Sequence, residues 1–161
     1  MDERTARLNQ AIAEGCRPTT APVGVRLARP GESPPPKTKH PVADIGRRLA
    51  VCQGMTAART LGWAMAFGAA DHACPLPRVF MGHVAADRFL EGTIADAYQE
   101  DPACMRIMEA SYPRWSVGAY SEIWLAPLSR CGFVPDLAVV YGTPAQVLAL
   151  APQLMTAAAA P

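Results

Sequence analysis

The hydrophobic positions of the chain fall into short segments that alternate between helical and extended spacing. Residues 2–14 place their apolar side chains at intervals typical of a helix, with acidic residues at the start and Gly15 after the end. Residues 21–29 alternate valine and leucine with small or polar residues, which predicts a half-buried strand. Five prolines within residues 30–41 exclude a helix or an inner strand and predict an exposed, proline-rich loop.

The middle of the chain predicts one long helix and one buried strand. From Asp44 to about Thr60, apolar residues recur at spacings of three and four, and Cys52 lies on that apolar face. Residues 63–70 form a short apolar run that is suited to an inner strand. Residues 75–84 predict a turn that leads into a short helix.

The last third of the chain continues this alternation. A helix is predicted to begin at Asp101, with Cys104 on its apolar face. Residues 119–128 and 136–142 predict strands, the second of the fully buried kind, and residues 143–152 predict a helix. The inward face of that last helix is predicted to consist of Val147, Leu148, Leu150 and Ala151.

This alternation of helices and strands predicts an α/β fold. We expect a single-domain sandwich spanning residues 1–161, in which helices flank a mixed sheet. The alanine-rich residues 153–161 predict a frayed tail.

The composition indicates a compact protein and excludes several classes of partner. Of the 161 residues, 50% are hydrophobic and only 18% are charged, which argues against disorder. The formal charge is +1, so neither nucleic acid nor an anionic membrane is an expected partner. The charged start has no apolar segment of a signal peptide, and no apolar run reaches the roughly 18 residues of a membrane helix. We therefore expect a cytoplasmic protein.

The end of the predicted strand 63–70 carries the first candidate site. Asp71, His72 and Cys74 follow this strand directly, at the kind of sheet edge where open α/β folds bind ligands. Pro75 stiffens the chain immediately after the thiol. The structural alternative is that Cys74 is a small buried hydrophobic residue and His72 a hydrogen-bonded core residue.

The cysteines offer a second set of candidates. Cys52, Cys74, Cys104 and Cys131 are separated by 21, 29 and 26 residues, so the close spacing of zinc and ferredoxin motifs is absent. Four thiolates that converge in the fold would still match the ligand count of an iron–sulfur cluster or a structural zinc. Cys16 lies in a predicted loop and is the odd one out. Unlinked core thiols remain the alternative, and packing alone explains Cys104.

The third candidate is the start of the last predicted helix. A buried strand ends at Gly142, and the helix opens with Thr143 as its cap and Pro144 in its first turn, followed by Gln146. Free N–H groups and the dipole at such a helix start favour an anionic or polar ligand group. Ordinary helix capping explains the same residues.

Four segments together resemble one known family. The segments APVGVRLARPGE, CQGMTAART, AADHACP and VPDLAVVYGTPAQVLAL are similar, in order and spacing, to the prokaryotic family of domain of unknown function 169. The resemblance covers about residues 22–150. The family-like positions it implies are Cys52, Gln53, Asp71, Cys74, Pro135, Asp136, Gly142, Pro144, Ala145 and Gln146.

The resemblance also sets limits on what can be transferred. Members of this family usually continue into a second half, so the match is mainly to the family's first half. If that second half completes a binding site in the family, the resemblance implies that a partner or a second copy of this chain takes its place. Thr143 stands where the family more often has asparagine. The family has no established activity, so the resemblance supplies a fold and a site more than a function.

These observations lead to three functional hypotheses. The leading one is a cysteine-ligated metalloprotein that binds an iron–sulfur cluster, of the 4Fe–4S type, or alternatively zinc, with Asp71 and His72 beside the metal. Its role would be electron transfer or redox support for a partner protein. The second is a small-ligand-binding or thiol-dependent enzyme that uses Cys74 and His72 with the helix start 142–146. The third is a structural interaction subunit. The apolar composition further predicts a homodimer.

Overall fold

The computed structural model describes residues 2–85 and 110–159, together with Cys104 and Ile107. The elements within these residues follow one another in the order α1 (Glu3–Gly15), β1 (Val23–Ala28), α2 (Pro41–Ile45), α3 (Val51–Thr56), a π-helical turn (Ala57–Leu61), β2 (Met65–Gly68), α4 (Pro75–Phe80), β3 (Glu122–Pro127), a 3-10 turn (Leu128–Arg130), β4 (Leu137–Val139) and α5 (Pro144–Ala159).

The four strands form one sheet in the order β2-β3-β1-β4, and each of their pairings is antiparallel. Helices and strands are thus combined as the sequence predicts, and the α/β class is confirmed. Parallel pairing among the described residues is limited to two isolated bridges, Lys39 with Met65 and Leu49 with His72.

The sheet has two ends with different neighbours. Glu122 pairs with both Ala28 and Gly68, so β1 and β2 finish where β3 begins. We call this end, together with the loops that follow β1 and β2, the histidine edge. Val23 pairs with both Pro127 and Val139 at the opposite end, which we call the cap edge. The six residues of β1 separate the two edges by about 17 Å.

The hydrophobic core lies between the sheet and the segment that contains α3 and the π-helical turn. Phe67, Met65 and Leu125 of the sheet pack against Ala57 and Ala58 of the turn, and all five are buried. A second cluster near the cap edge joins α1, the 3-10 turn and α5 through Ile12, Cys16, Leu128 and Leu150. The first cluster runs along the sheet from Val23 to Phe67, and the second adds packing near the cap edge.

The predicted helix from Asp44 to Thr60 is wrong as a single element. The chain leaves the helical path after Ile45 and resumes it at Val51. The intervening Leu49 donates its N–H to the carbonyl oxygen of Asp71 and accepts the N–H of Ala73. The helical spacing therefore continues across a segment whose backbone is used to pair with the loop after β2.

Three predictions about strand position and burial also need correction. The segment 63–70 forms β2, whose residues Met65, Ala66 and Phe67 are buried as predicted, but β2 lies at the end of the strand order and is not an inner strand. The segment 136–142 forms only the short β4, whose Leu137 is exposed. In α5, Leu150 is buried as predicted, but Val147 and Leu148 point to solvent, with Leu148 78% exposed. The helix predicted from Asp101 lies outside the described residues, apart from single positions.

Among the residues that the structure describes, no helix is both long and apolar enough to cross a membrane.

Candidate functional site

The histidine edge is held in place by Asp71. This residue follows β2 and is buried, and its carboxylate accepts the N–H of Gly68 at 3.0 Å and the N–H of Val42 at 2.9 Å. One side chain thus ties the end of β2 to the start of α2. A family-like acidic residue therefore has a clear structural task at this edge.

His40 lies between two carboxylates that come from different parts of the fold. Its Nδ1 is 3.8 Å from Oδ2 of Asp71 and 3.8 Å from Oε1 of Glu122, the first residue of β3. The other oxygen of Glu122 accepts the indole N–H of Trp124 at 2.7 Å. The carboxylates are therefore oriented by groups other than His40, whose side chain remains 29% exposed.

Beneath this layer, His72 and His83 form a hydrogen-bonded imidazole pair. His72 is only 2% exposed, and its ring lies against Phe67 with the centroids 5.7 Å apart. Its Nε2 is 3.0 Å from Nδ1 of His83, so one ring donates a proton to this hydrogen bond and the other accepts it. Which ring donates depends on the tautomers.

His83 is positioned by the turn after α4. Its N–H donates to the carbonyl oxygen of Arg78 at 2.8 Å. Gly82, just before it, has φ of 69°, and a Cβ atom there would overlap the carbonyl oxygen of Ser116. Gly118 donates its N–H to the carbonyl of Gly82 at 2.9 Å. This close backbone contact brings the second imidazole to the first.

Both imidazoles are kept neutral by their surroundings. Burial is the main cause that lowers the pKa of His72 to about 4, and the charges of His83 and Arg78 act in the same direction against Asp71. Burial and Arg78 also lower the pKa of His83, while Glu122 opposes them. His72 is buried and His83 partly buried, and imidazoles with such lowered pKa values are concentrated at functional sites.

Three buried nitrogen atoms at this edge have no hydrogen-bond partner among the described residues. They are Nδ1 of His72, Nε2 of His83 and Nε of Arg78. More than nine in ten buried polar groups in proteins are hydrogen-bonded, since an unpaired one costs about 1–3 kcal/mol. A cluster of three indicates a place where water or a ligand group completes the bonding.

The cysteines do not assemble into a metal site, so the cysteine-ligated iron–sulfur or zinc hypothesis is wrong. Cys52 is exposed on α3, because Gly54 and the following alanines fill the inner side of that segment. Cys74 is half-buried before α4, and Cys104 is exposed. Across residues 2–85 and 110–159 with the two single positions, no group of three potential ligands could hold a metal ion.

The remaining two cysteines are structural. Cys131 is 1% exposed, and burial raises the pKa of its thiol, the opposite of what a thiolate ligand needs. Cys16 ends α1 inside the second core cluster and not in an open loop. Both thiols lie near the cap edge, at the opposite end of the sheet from Cys74.

The predicted helix-start residues also lie at the cap edge. Thr143 Oγ1 accepts the N–H of Gln146 at 3.4 Å, and Gln146 Oε1 accepts the N–H of Thr143 at 2.8 Å. The amide of Gln146 also donates to the carbonyl of Arg17 at 2.9 Å. Gly142, Thr143 and Gln146 are therefore not brought together with Asp71 and His72, and their polar groups already serve as a helix cap.

Four residues of the site are absent from the sequence-based candidates: His40, Arg78, His83 and Glu122. Their contacts join positions that are far apart along the chain and carry no local motif. One signal was available in the sequence. His72 precedes and His83 follows the short predicted helix, and a short helix with turns on both sides can bring its two flanks close together.

The fold and this edge define a class: an α/β domain in which an antiparallel sheet ends beside a hydrogen-bonded imidazole pair and two carboxylates. The chain belongs to the family of domain of unknown function 169, described as uncharacterised ArCR, which it matches over residues 11–160. The family resemblance found in the sequence is thereby confirmed. No curated protein and no solved structure matches the chain.

Proposed function

We propose that the chain binds a small polar molecule at the histidine edge. The observation that carries this proposal is the set of unpaired ring nitrogens on the buried His72–His83 pair. An interior that keeps such atoms unpaired loses stability, and a binding site is a common reason for tolerating that loss. Hydrogen bonds to a bound molecule restore the missing interactions.

The upper layer of the edge suits proton exchange with that molecule. His40 is partly exposed, and two carboxylates lie 3.8 Å from its Nδ1. A carboxylate beside an imidazole orients the ring, which is the arrangement of a general acid or base. Asp71 is suited to this task because two backbone N–H groups hold it in place.

The thiol-based hypothesis gains no such support. His72 directs its Nε2 to His83, and within the described part no hydrogen bond joins His72 to Cys74. A cysteine nucleophile needs a base within hydrogen-bonding reach. The homodimer and the cytoplasmic location stay predictions; the exposed Leu137, Val147 and Leu148 support an apolar contact face near the cap edge.

The test is nuclear magnetic resonance of protein labelled with ¹⁵N-histidine. We would add acetate, phosphate, ethanolamine and glycerol in turn and follow the imidazole signals. Binding at the histidine edge should shift the signals of His72 and His83 in the wild type, and His83→Asn should weaken the response of His72. Gln146→Ala, at the cap edge, is the control and should respond like the wild type. Equal responses in His83→Asn and the wild type would contradict the proposal.

A further inference from the structure

The His72–His83 pair is open at both of its ends. The two nitrogens of an imidazole point away from each other, and Nε2 of His72 faces Nδ1 of His83 at 3.0 Å. The outer nitrogens, Nδ1 of His72 and Nε2 of His83, therefore lie at opposite ends of the pair. Both are buried, and neither has a hydrogen-bond partner in the part of the chain that the structure describes. Each end therefore needs a partner of its own.

Separate elements hold the two rings in this arrangement. The ring planes are tilted by 49° with their centroids 5.1 Å apart, so the rings meet through their nitrogen atoms and not by stacking. His72 forms a bridge with Leu49, and its ring lies against Phe67. His83 is positioned by the turn after α4. These contacts maintain the hydrogen bond between the rings and do not involve the outer nitrogens.

The shared hydrogen bond couples the tautomers of the two rings. Burial lowers the pKa of both imidazoles, so near neutral pH each ring carries one N–H proton. If His72 donates through Nε2, His83 accepts through Nδ1 and carries its own proton on Nε2. If His83 donates through Nδ1, His72 accepts through Nε2 and carries its own proton on Nδ1. Both rings therefore adopt the same tautomer, and one outer nitrogen donates while the other accepts.

The two ends differ in their access to solvent. His83 is partly exposed, whereas His72 is only 2% exposed. A molecule that arrives from solvent therefore reaches the His83 end more readily. Nδ1 of His72 lies deeper, where a buried water is a common partner of a polar atom.

We propose that the His72–His83 pair is a proton relay between a polar molecule bound at Nε2 of His83 and a second partner at Nδ1 of His72. The bound molecule gives a proton to Nε2 of His83, the Nδ1 proton of His83 moves to Nε2 of His72, and the Nδ1 proton of His72 leaves to the second partner. One proton enters and one leaves, so the pair ends neutral, with both rings changed from the Nδ1–H to the Nε2–H tautomer. This inference rests on the proposed function and deepens it.

Nuclear magnetic resonance of protein labelled with ¹⁵N-histidine tests the coupling directly. A ring nitrogen that carries a proton resonates far from one that does not, so the spectrum gives the fraction of each tautomer in each ring. At about pH 7 the two fractions should be the same in His72 as in His83, and both tautomers should be populated. Different tautomers in the two rings would overturn the relay.

Two small probes change the direction of the shared hydrogen bond. Near neutral pH acetate only accepts hydrogen bonds, and methylammonium only donates them. At Nε2 of His83, acetate should favour the Nε2–H tautomer in both rings and methylammonium the Nδ1–H tautomer. At saturation each probe should change the tautomer ratio by about fivefold, the effect of one hydrogen bond. Sodium chloride at the same ionic strength is the control and should leave the ratio unchanged.

A matched pair of variants separates the relay from direct contact. His83→Asn keeps an amide group at the position of Nδ1 but has no outer nitrogen, so His72 should lose its response to acetate. His72→Gln keeps an amide group at the position of Nε2, and His83 should still respond. A response of His72 in His83→Asn would overturn the relay.

The outcomes separate this inference from the proposed function. If any of acetate, phosphate, ethanolamine, glycerol or methylammonium shifts the imidazole signals while the tautomer fractions of the two rings do not change together, the proposed function stands and the relay fails. If no probe shifts the signals of either ring, both fail. Equal tautomer fractions that move together with acetate and methylammonium, in opposite directions, support both.

Discussion

The two ends of the sheet carry polar side chains in very different states. At the cap edge, Thr143 and Gln146 bond to each other, and Gln146 also bonds to Arg17. At the histidine edge, His72 and His83 bond to each other, and their outer nitrogens have no partner among the residues that the structure describes. The same strand, β1, runs between the bonded pair Thr143–Gln146 and the imidazole pair. Near the cap edge, only Nε of Arg59, whose guanidinium lies over the Tyr141 ring, is buried without a partner among the described residues.

This difference separates a structural role from a functional one. Polar groups that satisfy one another lose little on burial and need no ligand, so a helix start of this kind is explained by capping alone. Buried groups without partners reduce stability and are retained where they do something else. The residue types at the two edges would not have revealed this, because the sequence offered both edges as candidate ligand sites beside a structural alternative.

The largest effect is expected for Asp71→Ala. The variant leaves the N–H groups of Gly68 and Val42 without their acceptor, so the free energy of unfolding should fall by about 3 kcal/mol. Asp136→Ala is the matched control. The Asp136 carboxylate accepts a single exposed N–H, from Leu27, and its loss should cost about 1 kcal/mol. Urea unfolding measures both, and equal costs would contradict the structural role of Asp71.

Gly82→Ala should lower the free energy of unfolding by about 2–3 kcal/mol. The positive φ costs an alanine about 1–2 kcal/mol, and its Cβ would also meet the backbone of Ser116. Gly118→Ala measures the cost of the positive φ alone, because Gly118 has φ of 78° with open space around the Cβ position. Gly82→Ala should in addition shift the imidazole signals of His72, which Gly118→Ala should leave in place.

Much of the fold could be predicted because it depends on local patterns. The alternation in residues 21–29 gave β1, and the cap and proline at residues 143–144 gave the start of α5. The prediction of one helix over residues 44–60 is wrong because Leu49 pairs with the loop after β2. This tertiary contact leaves no trace in the spacing of the apolar residues. The predicted burial of residues 136–142 is wrong because β4 lies at the end of the strand order. The position in the sheet decides exposure there, and the apolar content of the segment does not.

The site was predicted only in part, for the same reason. Asp71 and His72 were found because they end an apolar strand. Their partners His40, Glu122 and His83 come from other segments, and only the antiparallel order of β2 and β3 brings Glu122 beside them. The four cysteines were expected to bind a metal because their number matched a ligand set. Their number in the sequence does not show whether they lie close together in the fold.

The imidazole pair should make stability depend on pH. Burial holds the pKa of His72 at about 4, below its ordinary value of 6.5, so the unfolded chain takes up protons first as the pH falls. The free energy of unfolding should therefore be insensitive to His72 above pH 6.5 and decrease toward pH 4. At about pH 5, His72 should lower the free energy of unfolding by about 2 kcal/mol relative to its value well above pH 6.5.

Comparison of variants isolates this effect from the titration of carboxylates. Urea unfolding at about pH 7 and about pH 5 should show a smaller difference for His72→Gln than for the wild type, and His83→Gln should shift in the same direction. Thr143→Ala, at the cap edge, removes no titrating group and should keep the wild-type difference. An unchanged pH difference in both histidine variants would show that the pair is not buried in neutral form.

The smallest effect concerns the cap edge and tests whether its polar groups are purely structural. Gln146→Ala removes the acceptor of the Thr143 N–H and the donor to the Arg17 carbonyl, and should cost about 1 kcal/mol in urea unfolding. Gln10→Ala is the control, because Gln10 bonds only to Glu14 on the exposed side of α1 and should cost less than about 0.5 kcal/mol. The imidazole signals of His72 and His83 should respond to the added small molecules in both variants as in the wild type. A loss of that response in Gln146→Ala alone would move the binding site to the helix start, and the contrast between the two edges would then be reversed.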